Sequence, residues 1–148
     1  MEAKLTEALT RFYLCDIGPA PFSVHAVEKE EQDDKDITVT CAEHQLQLAT
    51  HWLRNPPPHF SVLELEELVV LSLFHDVYYY DDFAHHGDRC VQLFEDYLQC
   101  ERPKQLVGDH IYLAPKEAKV RSNKWRRSDS ALDDALQQEW VQMDWVSV

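Results

Sequence analysis

Apolar residues recur at steps of three and four along most of this chain, the spacing of one buried helix face. Leu5, Ala8, Leu9, Phe12 and Tyr13 share such a face, predicting a helix over Glu2 to Leu14 that Gly18 and Pro19 end. Val39, Ala42, Leu46, Ala49, Trp52 and Leu53 mark a second over Ile37 to Asn55, stopped by Pro56, Pro57 and Pro58. Ser61 is placed to cap a third, with Glu64 as its capping-box partner. That helix carries the most apolar run, Leu68 to Leu71 with Leu73 and Phe74, and leads into His75-Asp76. A fourth is expected from Asp88 to Cys100, with Val91, Leu93, Phe94, Tyr97 and Leu98 inward. Pro103 opens a fifth segment containing Leu106, Val107, His110, Ile111 and Leu113, and Pro115 ends it. Leu132, Leu136, Trp140 and Met143 form the stripe of a last helix, from Ser130 to Trp145. The expected fold is all-α, a single bundle of about five to six helices.

Two stretches lack this periodicity. Residues 19–36 hold two prolines and the run EKEEQDDKD, which predicts a solvated acidic loop, with a lid as the alternative. Residues 116–128 hold Lys116, Lys119, Arg121, Lys124, Arg126 and Arg127, the one basic block of the chain. It reads as a solvated loop offsetting acidic neighbours, with phosphate binding as the alternative.

Composition narrows the function classes. A chain of 148 residues is one domain by size, and its net charge of −13 argues against a general nucleic-acid or anionic-membrane binder. Gly18, Gly87 and Gly108 are the only glycines, so a P-loop, a GxGxxG turn and a GxSxG elbow are all absent. Cys15, Cys41, Cys90 and Cys100 form no CxxC, which argues against a thiolate zinc site or a thioredoxin-like motif. No apolar segment approaches the length of a membrane span. The first residues, MEAKLTEALTRF, lack the regions of a signal peptide, so a reducing, cytoplasmic setting is expected.

The candidate chemistry lies in histidines and carboxylates at the edges of apolar faces. His75-Asp76 ends the most apolar helix, and an ionisable pair there must be hydrogen-bonded, paired or metal-bound. His44 sits between Cys41 and Leu48 on the second helix. Asp144 borders the last apolar stripe, next to Met143 and four residues after Trp140, while Asp134 lies in the first turn of that helix. Inward His and Asp side chains on facing helices are how bundles build metal sites. The bland alternative is a set of packed histidines, with Trp140 and Trp145 forming a partner-binding helix.

The order His44, His75-Asp76 and a late Asp, all on helices, resembles the HD superfamily of metal-dependent phosphohydrolases. The match is strongest from His44 to Phe94 and most specific in LFHDVYYYDDFAHHGDRCVQLF, Leu73 to Phe94, which is similar to the small predicted HD phosphohydrolases. This resemblance implies that His44, His75 and Asp76 ligate a divalent ion, with Asp144 as the last ligand and Asp134 as the alternative. Manganese, iron, cobalt, nickel or magnesium would suit such nitrogen and oxygen donors. It further implies hydrolysis of a small phosphorylated substrate, a phosphomonoester or nucleotide, by a metal-activated water that Asp76 orients. His85 or His86 would serve as acid or phosphate donor, and Arg89 or the basic block would neutralise phosphate charge. A single ion is the first expectation. A second ion, with His86 and His110 as added ligands, is the alternative. That order is similar to the di-iron HD oxygenases that cleave organophosphonates and to dinuclear HD phosphodiesterases. A degenerate HD fold acting as an interaction module is the reading from another class, and a homo-oligomer is left open.

Overall fold

The computed structural model describes residues 2–17, 22–23, 38–112 and 134–146. Most of the acidic stretch and the whole basic block lie outside these residues. The architecture is an all-α bundle, as the periodicity predicts. The first helix, α1 (Glu2–Ile17), runs three residues beyond its expected end. Phe22–Ser23 (β1) then pairs antiparallel with Thr38–Val39 (β2), Phe22 opposite Val39, so part of the expected acidic loop is tied back to the chain.

Helix α2 (Cys41–Arg54) starts later than the apolar pattern implies, because Thr40 caps it. Thr40 Oγ1 accepts from the Glu43 amide and Glu43 returns the bond to the Thr40 amide, so the orphan donors of the first turn are met locally. The predicted capping box is present on α3 (Val62–Phe74), between Ser61 and Glu64. Helix α3 ends at Phe74, and residues 75–81 continue as turns, which frees His75 and Asp76 from the helix barrel.

Helix α4 (His86–Leu93), preceded by a 3-10 turn at Phe83–His85, is shorter than the expected Asp88 to Cys100. The chain leaves it at Phe94, whose ring packs on Phe74 with centroids 5.0 Å apart. Buried Glu67 of α3 then accepts from the amides of Gln99 and Cys100 at 3.0 Å each, giving those donors a partner outside any helix. Helix α5 (Glu101–Gly108) follows, with Pro103 in its first turn, where no intrahelical bond is lost. Arg102 forks onto Glu64 with both bonds at 2.7 Å and also donates to the His59 carbonyl, pinning α5 to the start of α3.

A 3-10 turn at His110–Tyr112 ends this part of the chain. The last helix, α6 (Asp134–Val141), continues into a wider π-helical turn at Gln142–Val146 instead of running as one α-helix to Trp145. It lies antiparallel on α2: His51 pairs with Glu139 at 2.7 Å, and Trp52 stacks on Trp140 with centroids 6.2 Å apart. Trp52, Leu68, Leu71, Cys90, Leu106, Val107 and Trp140 are fully buried and form the centre of the core. Gly87 and Gly108 let α4 and α5 meet closely. A Cβ at Gly87 would stand 2.6 Å from the carbonyl oxygens of Val107 and Gly108. No described helix is long and apolar enough to cross a membrane.

Candidate metal centre

The six histidines and carboxylates singled out for the centre converge. His44 comes from the second turn of α2, His75-Asp76 from the turn after α3, and His86 from the start of α4. His110 follows α5, and Asp144 sits in the π-turn after α6. His44 and His75 have ring centroids 5.1 Å apart, brought together by the direct packing of α2 on α3 across the proline turn. Two groups result: His44, His75, Asp76 and Asp144, and Asp76, His86 and His110, each with its donor atoms within 4.8 Å of one another.

Asp76 belongs to both groups, and its two oxygens divide between them. Oδ2 lies 3.1 Å from His75 Nε2 and 3.5 Å from His44 Nε2. Oδ1 lies 3.2 Å from His86 Nε2 and 3.3 Å from His110 Nε2. Asp144 Oδ1 closes the first group, 2.6 Å from His44 Nε2 and 3.1 Å from His75 Nε2. Asp134, the alternative last ligand, opens α6 ten residues earlier in the chain, and its side chain falls outside the described structure.

The surroundings fix these side chains in place. His75, His86 and His110 each set Nδ1 against a backbone carbonyl at 2.7 Å, on Ser72, Phe83 and Val107. Metal-binding histidines use the same outer hydrogen bond to hold the tautomer with Nε2 unprotonated. The Trp140 indole N–H donates to Asp144 Oδ2 at 3.1 Å, so Oδ1 is the oxygen turned to the histidines. Gln45 Oε1 accepts from the Asp76 amide at 2.8 Å, and the Cys41 thiol donates to the Asp76 carbonyl. Trp140 and Gln45 are therefore site residues that periodicity assigned only to the core or left unremarked. Their i, i+4 and i, i+1 spacings to Asp144 and His44 were the available signal.

The donor set fits divalent cations. In their neutral tautomers His86 and His110 would point two lone pairs at each other, Nε2 to Nε2 at 2.8 Å, with Asp76 Oδ1 beside both. Three converging acceptors in a buried site repel unless a cation or proton lies among them. Donors bound at about 2.1 Å stand roughly 3 Å apart across an octahedral right angle, the separation seen here. Electrostatics agree. Burial works against a charged His75, yet Asp76 and Asp144 outweigh it and hold its pKa well above the usual imidazole value. Burial also opposes ionisation of Asp76 and Asp144, but the facing histidines hold both carboxyls below their ordinary range. His110 is pushed the other way, toward neutrality, by burial and then by His86. The site thus calls for positive charge between its carboxylates and neutral nitrogen at its far side. No family model, curated protein or solved structure matches the chain.

The remaining candidate roles fall on residues in and around the centre. His86 belongs to the centre itself, with Nδ1 against the Phe83 carbonyl and Nε2 facing His110 and Asp76. His85 is exposed and pairs with Asp82 at 2.9 Å. Arg89 lies over the Tyr78 ring at 4.0 Å and pairs with Asp82 at 3.9 Å. Trp140 is fully buried between the centre and Trp52, which removes it from any partner-binding face, and the side chain of Trp145 is outside the described structure.

Proposed function

We propose that this chain is a metal-dependent phosphohydrolase working with two divalent cations that share Asp76. The division of the Asp76 carboxylate, one oxygen to His44 and His75 and the other to His86 and His110, carries the reading. It favours two ions over the single one first expected. His44, His75, Asp76 and Asp144 would hold one ion, and Asp76, His86 and His110 the other. Bound there, such ions supply an activated water and Lewis-acid stabilisation of a phosphoryl oxygen.

The chain's own contribution is placement and charge. Neutral imidazoles and two carboxylates facing two divalent ions leave a net charge of about +2, which complements the dianion of a phosphomonoester. The carbonyl bonds at Nδ1 keep each ring turned inward, and Trp140 keeps the Asp144 carboxylate in one rotamer. Fixed donors of this kind need little reorganisation when charge develops on a substrate. Of the two histidines weighed as proton donors, His85 alone lies outside the ligand groups, so that role falls to it.

Elemental analysis of the purified protein, combined with a panel of phosphomonoesters and nucleotides, tests the reading. About two transition-metal ions per chain and phosphate release that stops on chelation are expected. Two ions with dioxygen consumption and no phosphate release would move the chain to the di-iron oxygenase class. A metal-free protein without turnover would leave an acidic helical interaction module.

A further inference from the structure

The rings packed on the centre's histidines differ in what lies behind them. Trp140 packs on His75 and His110, with centroids 5.4 Å and 5.5 Å apart, and Trp52 backs Trp140 at 6.2 Å. Both tryptophans are fully buried, so that wall is closed. His86 is backed instead by Tyr79 at 5.5 Å and Phe83 at 5.2 Å. Tyr79 is half-buried, whereas Phe83 is 52% exposed. Tyr80, 62% exposed, extends the row, its ring 5.0 Å from that of Tyr79. On this side a single layer of rings stands between a histidine of the centre and solvent.

Tyr79 meets Phe83 at 88° and Tyr80 at 75°, both edge-to-face. Packing of this kind steadies the rings without covering both faces of each. The charged groups beside them are already matched. Asp81 pairs with Arg11 at 2.5 Å, and Asp82 pairs with His85 at 2.9 Å and with Arg89 at 3.9 Å. Among the described residues, then, the patch offers stacking surface and no spare cation.

We infer that Phe83 and Tyr80, steadied by Tyr79, form a stacking subsite for a planar ring carried on the alcohol side of the substrate. The inference rests on the two-ion reading for the phosphate end alone. One imidazole lies between Phe83 and an ion held by His86 Nε2. A ring esterified directly to phosphate would sit against the ions, short of Phe83. A ring set back by a spacer reaches it, as the base of a nucleoside 5′-monophosphate does through its ribose. The matched carboxylates on the rim give a further phosphate no partner, so one phosphate is the fit. Stacking accepts any base, because each has a π-face.

The test measures Kd by calorimetry on the metal-loaded, full-length protein, for adenosine 5′-monophosphate and for ribose 5-phosphate, which lacks the base. Phosphate release is followed in the same samples. The nucleotide is expected to bind about 5- to 100-fold more tightly than ribose 5-phosphate. In Phe83→Ala that ratio should fall about 5-fold or more, and Phe83→Trp should restore it. Disturbed packing around His86 would weaken both ligands alike and leave the ratio where it was, so the ratio separates stacking from support of the centre. Equal affinity for the two ligands, or a ratio unmoved in Phe83→Ala, would overturn the inference, and phosphate release in that case would leave the two-ion reading in place. A Phe83-dependent ratio without phosphate release would keep the subsite and remove the hydrolase. Binding of neither ligand would remove both. Phenyl phosphate, whose ring has no spacer, should bind no better than ribose 5-phosphate, and a Phe83-dependent gain for it would overturn the spacer.

Discussion

Asp76 touches four imidazoles through two oxygens, so its loss should act on both ions together. Asp76→Ala is expected to bind less than about half an ion per chain. Its turnover should fall by more than the roughly 100-fold that removing an outer partner of a ligand can cost. His110→Ala should keep the first group and bind about one ion, and His44→Ala should spare the second. Elemental analysis of the three variants checks this, and loss of both ions in His110→Ala would argue against separable halves. A different carboxylate reports on stability. The Glu64 carboxyl is held at about 2, against 4.5 ordinarily, chiefly by Arg102 and then by the Ser61 amide. Its pKa is lower in the fold than in the open chain, so its stabilisation is complete above about pH 4.5 and is lost as pH falls through about 2. Allowing for its partial exposure, Glu64→Gln should cost about 1 kcal/mol at neutral pH and almost nothing at the acid end, measured by denaturant melts. His44 and Asp144 were legible in the sequence because each sits at the edge of a helical apolar stripe. That the Trp140 indole turns its N–H to Asp144 was not, since the same i, i+4 spacing serves a tryptophan that only packs.

Among the elements, the contact between α4 and α5 has the least room to give. A methyl group at Gly87 would meet the backbone oxygens of Val107 and Gly108 at 2.6 Å, and neither can rotate away. Gly87→Ala should therefore destabilise the fold by about 1–3 kcal/mol. It should also separate His86 from His110, lowering the second ion's occupancy while the His44 group stays loaded. A denaturant melt alongside metal analysis checks both, and an unchanged second site would refute the link. The sequence pattern made the existence and order of the helices readable but not all their limits. Cys41 starts α2 because Thr40 and Glu43 close a box, a local signal that the apolar count overran. The early end of α4 depends on Glu67, about thirty residues away in the chain, which supplies bonds to the Gln99 and Cys100 amides. The π-turn that delivers Asp144 breaks the 3.6-residue period on which the last helix was predicted.

For the molecule as a whole, an acidic chain of net charge −13 closes around two buried carboxylates, and cations that bind only the folded form should stabilise it. Dialysis against a chelator is expected to lower the melting temperature by several degrees, and manganese or iron should restore it. Free metal at about 100 times Kd would contribute about 2.7 kcal/mol. A melting curve indifferent to chelation would count against any structural ion. The all-α class was legible because scarce glycine and long helical periods agree. The charge readings of the acidic and basic stretches fall largely outside the described residues. The order of the donors along the chain has a consequence for biosynthesis. Asp144 follows His44 by 100 residues, whereas Asp76, His86 and His110 are all present much earlier. A nascent polypeptide carries His44, His75, Asp76, His86 and His110 before Asp144 is added, so the proposed two-ion site lacks its closing carboxylate until the last described helix has been made.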